Sequence, residues 1–192
     1  MSTRVDERSP RQRLLETADR LFYAEGIHTV GIDRILDEAG VAKASLYKCF
    51  GSKDGLVKAY LEGRHERQKA RIARALDRAG DDPRARLLAV FGAQAELFAT
   101  PGFRGCAFAA ATAEVPIGDD LEQVAADYRG YVRRVFRELA VEAGATDPFA
   151  LACQLHLLYD GAQQVARTEH ASSVAEQAHA AAGVLIDAAL VH

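Results

Sequence analysis

The sequence predicts an all-α protein with about nine helices. Alanine, leucine, glutamate and arginine, which all favour helices, are abundant along the 192 residues. No run alternates apolar and polar residues in the way that a half-buried strand requires. Apolar residues instead recur every three or four positions, between Ser, Asp or Pro at helix starts and Gly at helix ends. These observations indicate one helix after another and no sheet.

The first helix has the clearest start signal. Ser9 is expected to be its N-cap, Pro10 its first residue and Gln12 its third, an arrangement that allows a capping box. Gly26 should end the helix, because glycine readily adopts the conformation that follows a last helical turn. The apolar stripe of this helix is Leu14, Leu15, Ala18, Leu21 and Phe22.

Two short helices and one long helix follow. The short ones are predicted over about residues 32–39 and 42–49, with Gly40 in the tight turn between them. Ser52 is expected to cap the long helix, which should run over about residues 53–79. The residues of the two short helices that should face inward are Ile32, Ile35, Leu36, Leu46 and Phe50.

Five further helices are predicted, over about residues 83–99, 107–114, 120–143, 148–170 and 173–190. Their start and stop signals are Asp82, Pro116-Ile117-Gly118, Asp119 or Asp120, Asp147-Pro148, and Ser172 or Ser173. The pattern predicts two domains, a three-helix head over residues 1–53 and a larger helical body over residues 54–192.

Composition limits the class of protein. Hydrophobic residues make up 49% and charged residues 27% of the chain, as in ordinary globular domains. No apolar run approaches the roughly 20 residues that span a bilayer, and residues 1–13 lack the apolar core of a secretory signal. We therefore expect a cytoplasmic protein with no membrane partner. Its three cysteines, without a C-x-x-C pair, should be reduced thiols.

Charge totals say little about nucleic acid, so the positions of the charges must decide. The head has 9 Lys and Arg against 8 Asp and Glu, and the body has 15 against 19. On a helix over 42–49, Leu46 and Phe50 lie one turn apart and face the core, which turns the polar residues outward. Two helices joined by a tight turn, with cations on the second, are typical of a DNA-binding helix-turn-helix. The alternative is a solvated lysine-bearing surface. The residues proposed to meet DNA are Lys43, Ala44, Ser45, Tyr47, Lys48 and Lys53.

Residues 11–61 resemble the N-terminal domain of the TetR family of bacterial transcriptional regulators. The resemblance lies in LLETADRLFYAEGIHTVGIDRILDEAGVAKASLYKCFGSKDGLVKAYL, above all in its V-x-K-x-x-L-Y-x-x-F-x-S-K block. It implies that Lys43, Ala44 and Ser45 approach bases, and that the remaining three candidates hold phosphates. GFRGCAFAAATAEVP (102–116) and LLYDGA (157–162) are similar to one subgroup of that family.

Three residues depart from the commonest family pattern. Val30 stands where a Thr often contacts phosphate, Ala42 where a Ser often caps the recognition helix, and Cys49 where His or Tyr is frequent. The loss of a capping side chain costs about 1 kcal/mol. The lysines and the tyrosine of the motif are all kept.

The resemblance also implies a homodimer on a palindromic operator, most often as a repressor that a small-molecule effector releases. The last two helices are expected to form the dimer interface through a stripe of Ala178, Ala181, Ala182, Leu185 and Ala189. The aromatic bias of the body favours an apolar or aromatic effector. The candidate ligand-binding residues are Phe91, Phe98, Phe108, Tyr128, Tyr131, His156, Tyr159, Asp160 and Gln163.

Other functions have less support in the sequence. Cys106 follows Arg104-Gly105 near a helix start, which would suit a redox or electrophile sensor. Cys153, His156 and Asp160 share a helical face but make an incomplete metal site, so no metal and no cofactor are expected. No GxSxG, HExxH or phosphate-binding glycine loop indicates an enzyme. A ligand-binding protein that no longer binds DNA is the remaining alternative.

Overall fold

The computed structural model describes residues 8–114 and 120–190. Within these residues the protein is all-α, and its regular secondary structure consists of nine helices. The helices are α1 (Pro10–Glu25), α2 (Ile32–Ala39), α3 (Lys43–Phe50), α4 (Lys53–Ala79), α5 (Pro83–Phe98), α6 (Ala107–Glu114), α7 (Asp120–Glu142), α8 (Pro148–Val165) and α9 (Ala171–Ala189).

Side-chain caps place several helix starts where the sequence predicts them. The Ser9 hydroxyl accepts from the Gln12 amide at 3.2 Å, and the Gln12 side chain accepts from the Ser9 amide at 2.9 Å, which completes the capping box. Asp82 accepts from the backbone of Ala85 at 3.2 Å at the start of α5. These bonds satisfy amides that have no partner within the helix.

The junction between α8 and α9 differs from the prediction. The helix predicted to reach residue 170 ends at Val165, where the backbone tightens into a turn. The Thr168 amide and hydroxyl both donate to the Val165 carbonyl, at 2.9 and 3.1 Å. α9 begins at Ala171 with His170 as N-cap, so the prediction of a Ser172 or Ser173 cap is wrong. The predicted helix end at 116–118 and the alternative start at Asp119 lie outside the described residues.

Backbone contacts divide the chain into two compact units. The first consists of Met1–Arg64 with Ala107–Val124, and the second of His65–Cys106 with Ala125–His192. α4 and α7 each contribute residues to both units. The functional boundary at residues 53 and 54 stays a prediction.

In the first unit, α1, α2 and α3 pack against one another. Leu14 and Leu21 of α1, Ile35 of α2 and Leu46 of α3 are fully or almost fully buried. Ile32 and Phe50, which were expected to face inward, are only half-buried. Burial of the four core side chains stabilises the unit by about 1.5–3 kcal/mol each.

Gly55 sets the junction between α3 and α4. A Cβ at this position would lie 2.0 Å from the Phe50 carbonyl oxygen, so no other residue fits without movement of the backbone. The Gly55 amide donates to the Ser52 hydroxyl at 3.0 Å, which confirms Ser52 as the predicted cap of α4. The glycine therefore lets α4 start directly after α3.

In the second unit, α5, α8 and α9 pack together around aromatic rings. Phe91, Phe136 and Tyr159 have ring centroids 5.5–6.0 Å apart. Ala178 and Ala182 of the predicted interface stripe are buried in this unit, so they serve its own packing. No helix in the described part of the chain has the length and apolar character needed to cross a membrane.

Candidate nucleic-acid interface

The outward face of α3 carries the predicted DNA-binding side chains. Leu46 points into the core with no exposed surface, and this fixes the rotation of the helix. Lys43, Ala44 and Lys48 are exposed, and the Tyr47 ring is 46% exposed. The structure thus brings cations, a phenol and a small residue onto one face, as the sequence predicts.

The turn between α2 and α3 aims this face. Gly40 adopts the left-handed conformation, with φ of 61°, and the Val41 amide donates to the Leu36 carbonyl at 3.1 Å. Ala42 is the N-cap of α3 and offers no side-chain bond, as expected from its methyl group. The Ser45 amide donates to the Ala42 carbonyl at 2.9 Å, and the amides of Lys43 and Ala44 are left for water or for an anion.

Val30 has a different role from the Thr that often stands at this position in the resembling family. Its side chain is fully buried in the first unit, and Gly31 is the N-cap of α2. Its contribution is therefore to the core.

Lys53 stands apart from the other candidates. It is half-buried at the start of α4, and its ammonium donates to the Ile27 carbonyl at 2.6 Å. The same nitrogen lies 6.0 Å from the centre of the Phe22 ring. Lys53 therefore ties α4 to the loop between α1 and α2, and its phosphate contact stays a prediction.

The loop between α1 and α2 makes a second long-range contact, to Glu114, which sequence reasoning missed. The Glu114 carboxylate at the end of α6 accepts from the His28 amide at 2.8 Å, and the His28 ring donates to the Glu114 carbonyl. A Cβ on Gly26 would lie 2.9 Å from the Glu114 carboxylate, so the glycine leaves room for it. The two partners are 86 residues apart, and no local pattern in the sequence links them.

Acidic side chains pair with Arg20 and Arg34 of this unit but leave Lys48 unpaired within the described residues. Arg34 donates to Glu25 at 2.8 Å and to Glu38 at 2.9 Å, and Arg20 also donates to Glu38. The Arg34 hydrogen bond lowers the pKa of Glu25, and bonds from Arg20 and Arg34 lower that of Glu38. Lys43 has one exposed partner, Asp33, at 3.5 Å. Such exposed pairs contribute little to stability.

Comparison with known proteins agrees with this geometry. Residues 14–60 match the model of the bacterial regulatory proteins of the tetR family. A TetR-family transcriptional regulator of Streptomyces coelicolor has the same fold, with 33% identity, a TM-score of 0.90, and coverage of 95% of this chain and 96% of that one. A TetR-type regulator of Streptomyces avermitilis has 36% identity and a TM-score of 0.82, over 96% of this chain and 100% of that one. The chain belongs to the TetR family.

TetR-family membership places the chain among DNA-binding transcriptional regulators and not among enzymes. The transcriptional activator FasR of Mycolicibacterium smegmatis is 40% identical over 84 residues, which are 44% of this chain and 37% of FasR. Matches to curated relatives such as this one span between 25% and 37% of their length.

Several candidate ligand-binding residues bond to one another in the second unit. The Gln68 amide donates to the Tyr159 hydroxyl at 2.6 Å, and the Gln163 amide donates to the Tyr128 hydroxyl at 3.2 Å. Burial raises the pKa of both tyrosines, so both stay protonated. Gln94 donates to the Tyr159 carbonyl at 2.7 Å. These groups have partners inside the chain and need no ligand to satisfy them.

His156 and Asp160 form a separate pair on α8, with 3.5 Å between the imidazole Nε2 and the carboxylate. Burial lowers the pKa of His156 and raises that of Asp160, so low dielectric disfavours the charged form of each. In the described parts of the chain, no three His, Cys, Asp or Glu side chains are grouped to hold a metal ion.

A groove between α5 and α9 forms an apolar cavity. Its volume is about 480 Å³, and the rings of Phe91 and Phe98 line it. Glu176 and His179 provide polar groups, both on the exposed side of α9. The other lining residues are small and were missed from the sequence: Gly92, Ala95, Ala99, Ala171, Ser172 and Ala175. Gly92, Ala95 and Ala99 recur at spacings of three and four residues along α5 and its C-cap, and this was the available signal.

The remaining candidates lie elsewhere. Phe108 is buried in the first unit, on α6, whereas the other ligand-binding candidates belong to the second. Tyr131 is half-buried, with the Lys69 ammonium 5.7 Å from its ring centre. Cys106 is a half-buried thiol directly before α6, preceded by Gly105 with φ of 89°. Its role as a sensor stays a prediction.

Proposed function

We propose that this protein is a ligand-responsive repressor that binds a palindromic operator as a homodimer through α3. The observation that carries the proposal is the outward face of α3, where Lys43, Tyr47 and Lys48 are exposed around the buried Leu46. A rigid, convex and cationic helix of this kind suits the major groove of DNA.

Each side chain of α3 has a role set by its chemistry. Lys43, Ala44 and Ser45 form the first turn and approach base edges, since the N-terminal residues of a recognition helix enter the groove most deeply. Tyr47, Lys48 and Lys53 hold phosphates on either side. Residues 1–53 would form the DNA-binding part, and residues 54–192 the regulatory and dimerising part.

Exposed apolar side chains on the last two helices support dimerisation. Leu157 of α8 is 73% exposed and Val184 of α9 is 70% exposed. Ala181 and Ala188 lie on the same exposed side of α9 as Val184. A second copy would cover this face, and two-fold symmetry would match the two halves of a palindrome.

The α5–α9 groove is the proposed effector site. A volume of about 480 Å³ with two aromatic walls suits a small apolar or aromatic molecule, and Glu176 with His179 would orient its polar group. The buried hydrogen bonds to Tyr159 stabilise the interior of the second unit. An effector lowers operator affinity only as far as it prefers the non-binding state, typically by about 1–3 kcal/mol.

Fluorescence anisotropy on DNA from upstream of the gene tests the DNA-binding part of the proposal. Tyr47→Ala with Lys48→Ala should weaken binding by about 10- to 100-fold, because two phosphate contacts are lost. Lys58→Ala, a change of an exposed lysine on α4, is the matched control and should bind as the wild type does. Equal binding by all three proteins to operator and scrambled DNA would contradict the proposal.

The effector site and the direction of regulation need separate tests. Ala95→Leu should fill the α5–α9 groove and abolish effector-induced release without loss of operator binding. Higher expression of a reporter gene after deletion of the regulator supports repression. Lower expression identifies an activator, the role given in the name of the transcriptional activator FasR.

Cys106 offers a second route of regulation. Cys106 lies directly before α6, in the unit that also holds Tyr128 and Tyr159. A modified thiol there would disturb the packing around these two tyrosines. Alkylation should lower operator affinity in the wild type and leave Cys106→Ser unaffected. Unchanged affinity after complete modification would exclude a sensor at this residue.

A further inference from the structure

A second groove, between α7 and α8, has a different chemistry. Its volume is about 340 Å³. The residues that line it are Gly130, Arg133, Arg134 and Arg137 of α7, with Phe149 and Ala152 of α8. It lies on other helices than the proposed effector groove, but it shares α8 with the proposed dimer face.

The three arginines have no ion-pair partner among the described residues. All three are exposed. Other arginines of the same unit are paired: Arg84 with Asp187, and Arg86 with Glu142. Three guanidinium groups within two helical turns repel one another, so an anion between them would relieve that repulsion.

Asp160 forms no ion pair with this cluster. It interacts electrostatically with Arg133 and Arg129, but its carboxylate lies 3.5 Å from the His156 imidazole on the same helix. A carboxylate from a ligand would therefore meet arginine forks that no internal acid occupies.

Phe149 gives the groove an apolar wall. Its ring, in the first turn of α8, is 65% exposed. Ala152 extends this wall by one helical turn. A flat apolar group could stack on the ring while its charge faced the arginines.

Gly130 keeps the groove open. It lies within α7, where glycine disfavours the helix, and a Cβ built on it meets nothing within 4 Å. Neither packing nor backbone conformation within the unit requires glycine here. The missing side chain instead leaves space in the groove.

We propose that the α7–α8 groove binds a small amphipathic anion, an aromatic or acyl carboxylate. Its carboxylate would be held by the Arg133 and Arg137 forks, and its apolar body would lie on Phe149 above Gly130. Arginine binds planar carboxylates through two parallel hydrogen bonds, which gives such a site specificity as well as charge.

Isothermal titration calorimetry with 2-naphthoate tests this proposal, and 2-naphthamide of the same shape serves as the neutral control. We expect saturable naphthoate binding with a dissociation constant of about 0.1–1 mM and none by the amide. Arg137→Gln should weaken it by at least about tenfold. Arg74→Gln, a change of an exposed arginine on α4, should leave it unchanged.

Changes at Gly130 provide a second test. Gly130→Leu should block naphthoate binding, whereas Gly130→Ala should fold at least as well as the wild type and retain most of the binding. Circular dichroism would check that both proteins are folded.

Four results would overturn the proposal. They are no naphthoate binding at about 10 mM, equal binding of naphthamide, no effect of Arg137→Gln, and an Arg137→Gln protein that dissociates into monomers in sedimentation experiments. The last result would make the groove an interface between two copies of the chain. Operator binding is measured separately, so failure here leaves the DNA-binding proposal standing.

Discussion

The outward face of α3 and the α7–α8 groove are both cationic, but they are built differently. α3 is convex and carries two lysines with a tyrosine hydroxyl, whereas the groove is concave and carries three arginines with a phenyl ring. Lysine is a mobile point charge suited to phosphates, and arginine is a planar fork suited to carboxylates and aromatic faces. Residue type and surface shape thus separate two proposed anion-binding surfaces that net charge alone does not reveal.

Each surface also has a helical glycine beside it, Gly55 next to α3 and Gly130 in the groove. Replacing each glycine with alanine should change the stability of the protein, and the larger effect is expected at Gly55. Gly55→Ala should destabilise the first unit by about 1–3 kcal/mol or more, because the new Cβ meets the Phe50 carbonyl oxygen, which cannot rotate away. Thermal unfolding should show a lower melting temperature, and operator binding should fall with it. An unchanged melting temperature would mean that α3 and α4 are less tightly joined than described.

Salt dependence should distinguish the two surfaces next. Lys48→Gln should weaken operator binding by about tenfold and reduce the slope of log K against log salt by about one for each α3 on the DNA. Arg133→Gln, in the groove, should change neither quantity. A common effect of both variants would show that the two surfaces bind the same polyanion.

The matched change at the second glycine should act in the opposite direction. Gly130→Ala should stabilise the protein by about 0.5–1 kcal/mol, because alanine favours the helix and its methyl group enters open space. Urea unfolding measures this difference. A loss of stability would show that the groove narrows in solution.

Acidification should lower the stability of the protein by less than the Gly55 substitution does, through histidines of the second unit. Burial lowers the pKa of His156, Asp160 opposes this shift, and Arg133 and Arg129 add to it. The unfolded chain therefore binds this proton more readily, so stability should fall as the pH drops below about 6.5. Burial also lowers the pKa of His65, which adds in the same direction. Asp160 has a raised pKa and acts oppositely, through the pH range just above its usual value near 3.8.

Melting temperatures at about pH 7.5 and 5.5 measure this effect. His156→Gln should lose less stability over that interval than the wild type. An equal loss in both proteins would assign the effect to His65 or to another group.

The sequence predicts helices best where a capping side chain marks the start. Ser9, Ser52 and Asp82 each bond to the amides that the pattern assigns to them. The end of α8 could not be predicted in this way, because no glycine or proline marks it. Thr168 closes the helix there through bonds to Val165, and threonine at such a position has no distinctive pattern.

In the candidate site, too, features set by local sequence could be predicted, whereas contacts between distant residues could not. The exposed face of α3 follows from the burial of Leu46, since helical periodicity fixes which residues point outward. The bonds from Lys53 to Ile27 and from His28 to Glu114 connect residues 26 and 86 positions apart. No local propensity records such a pairing, so only the folded arrangement reveals them.

The Glu114 contact has a consequence for the order of folding. Glu114 bonds to the loop after α1, yet residues 65–106, which belong to the other unit, are synthesised between them. The first unit therefore reaches its complete set of contacts only after α6 has left the ribosome. A contact across 86 residues also carries a larger loop-closure entropy than the pairing of α1 with α2. During synthesis, α1–α3 should form early as a partly stabilised intermediate, and the arrival of α6 should complete it.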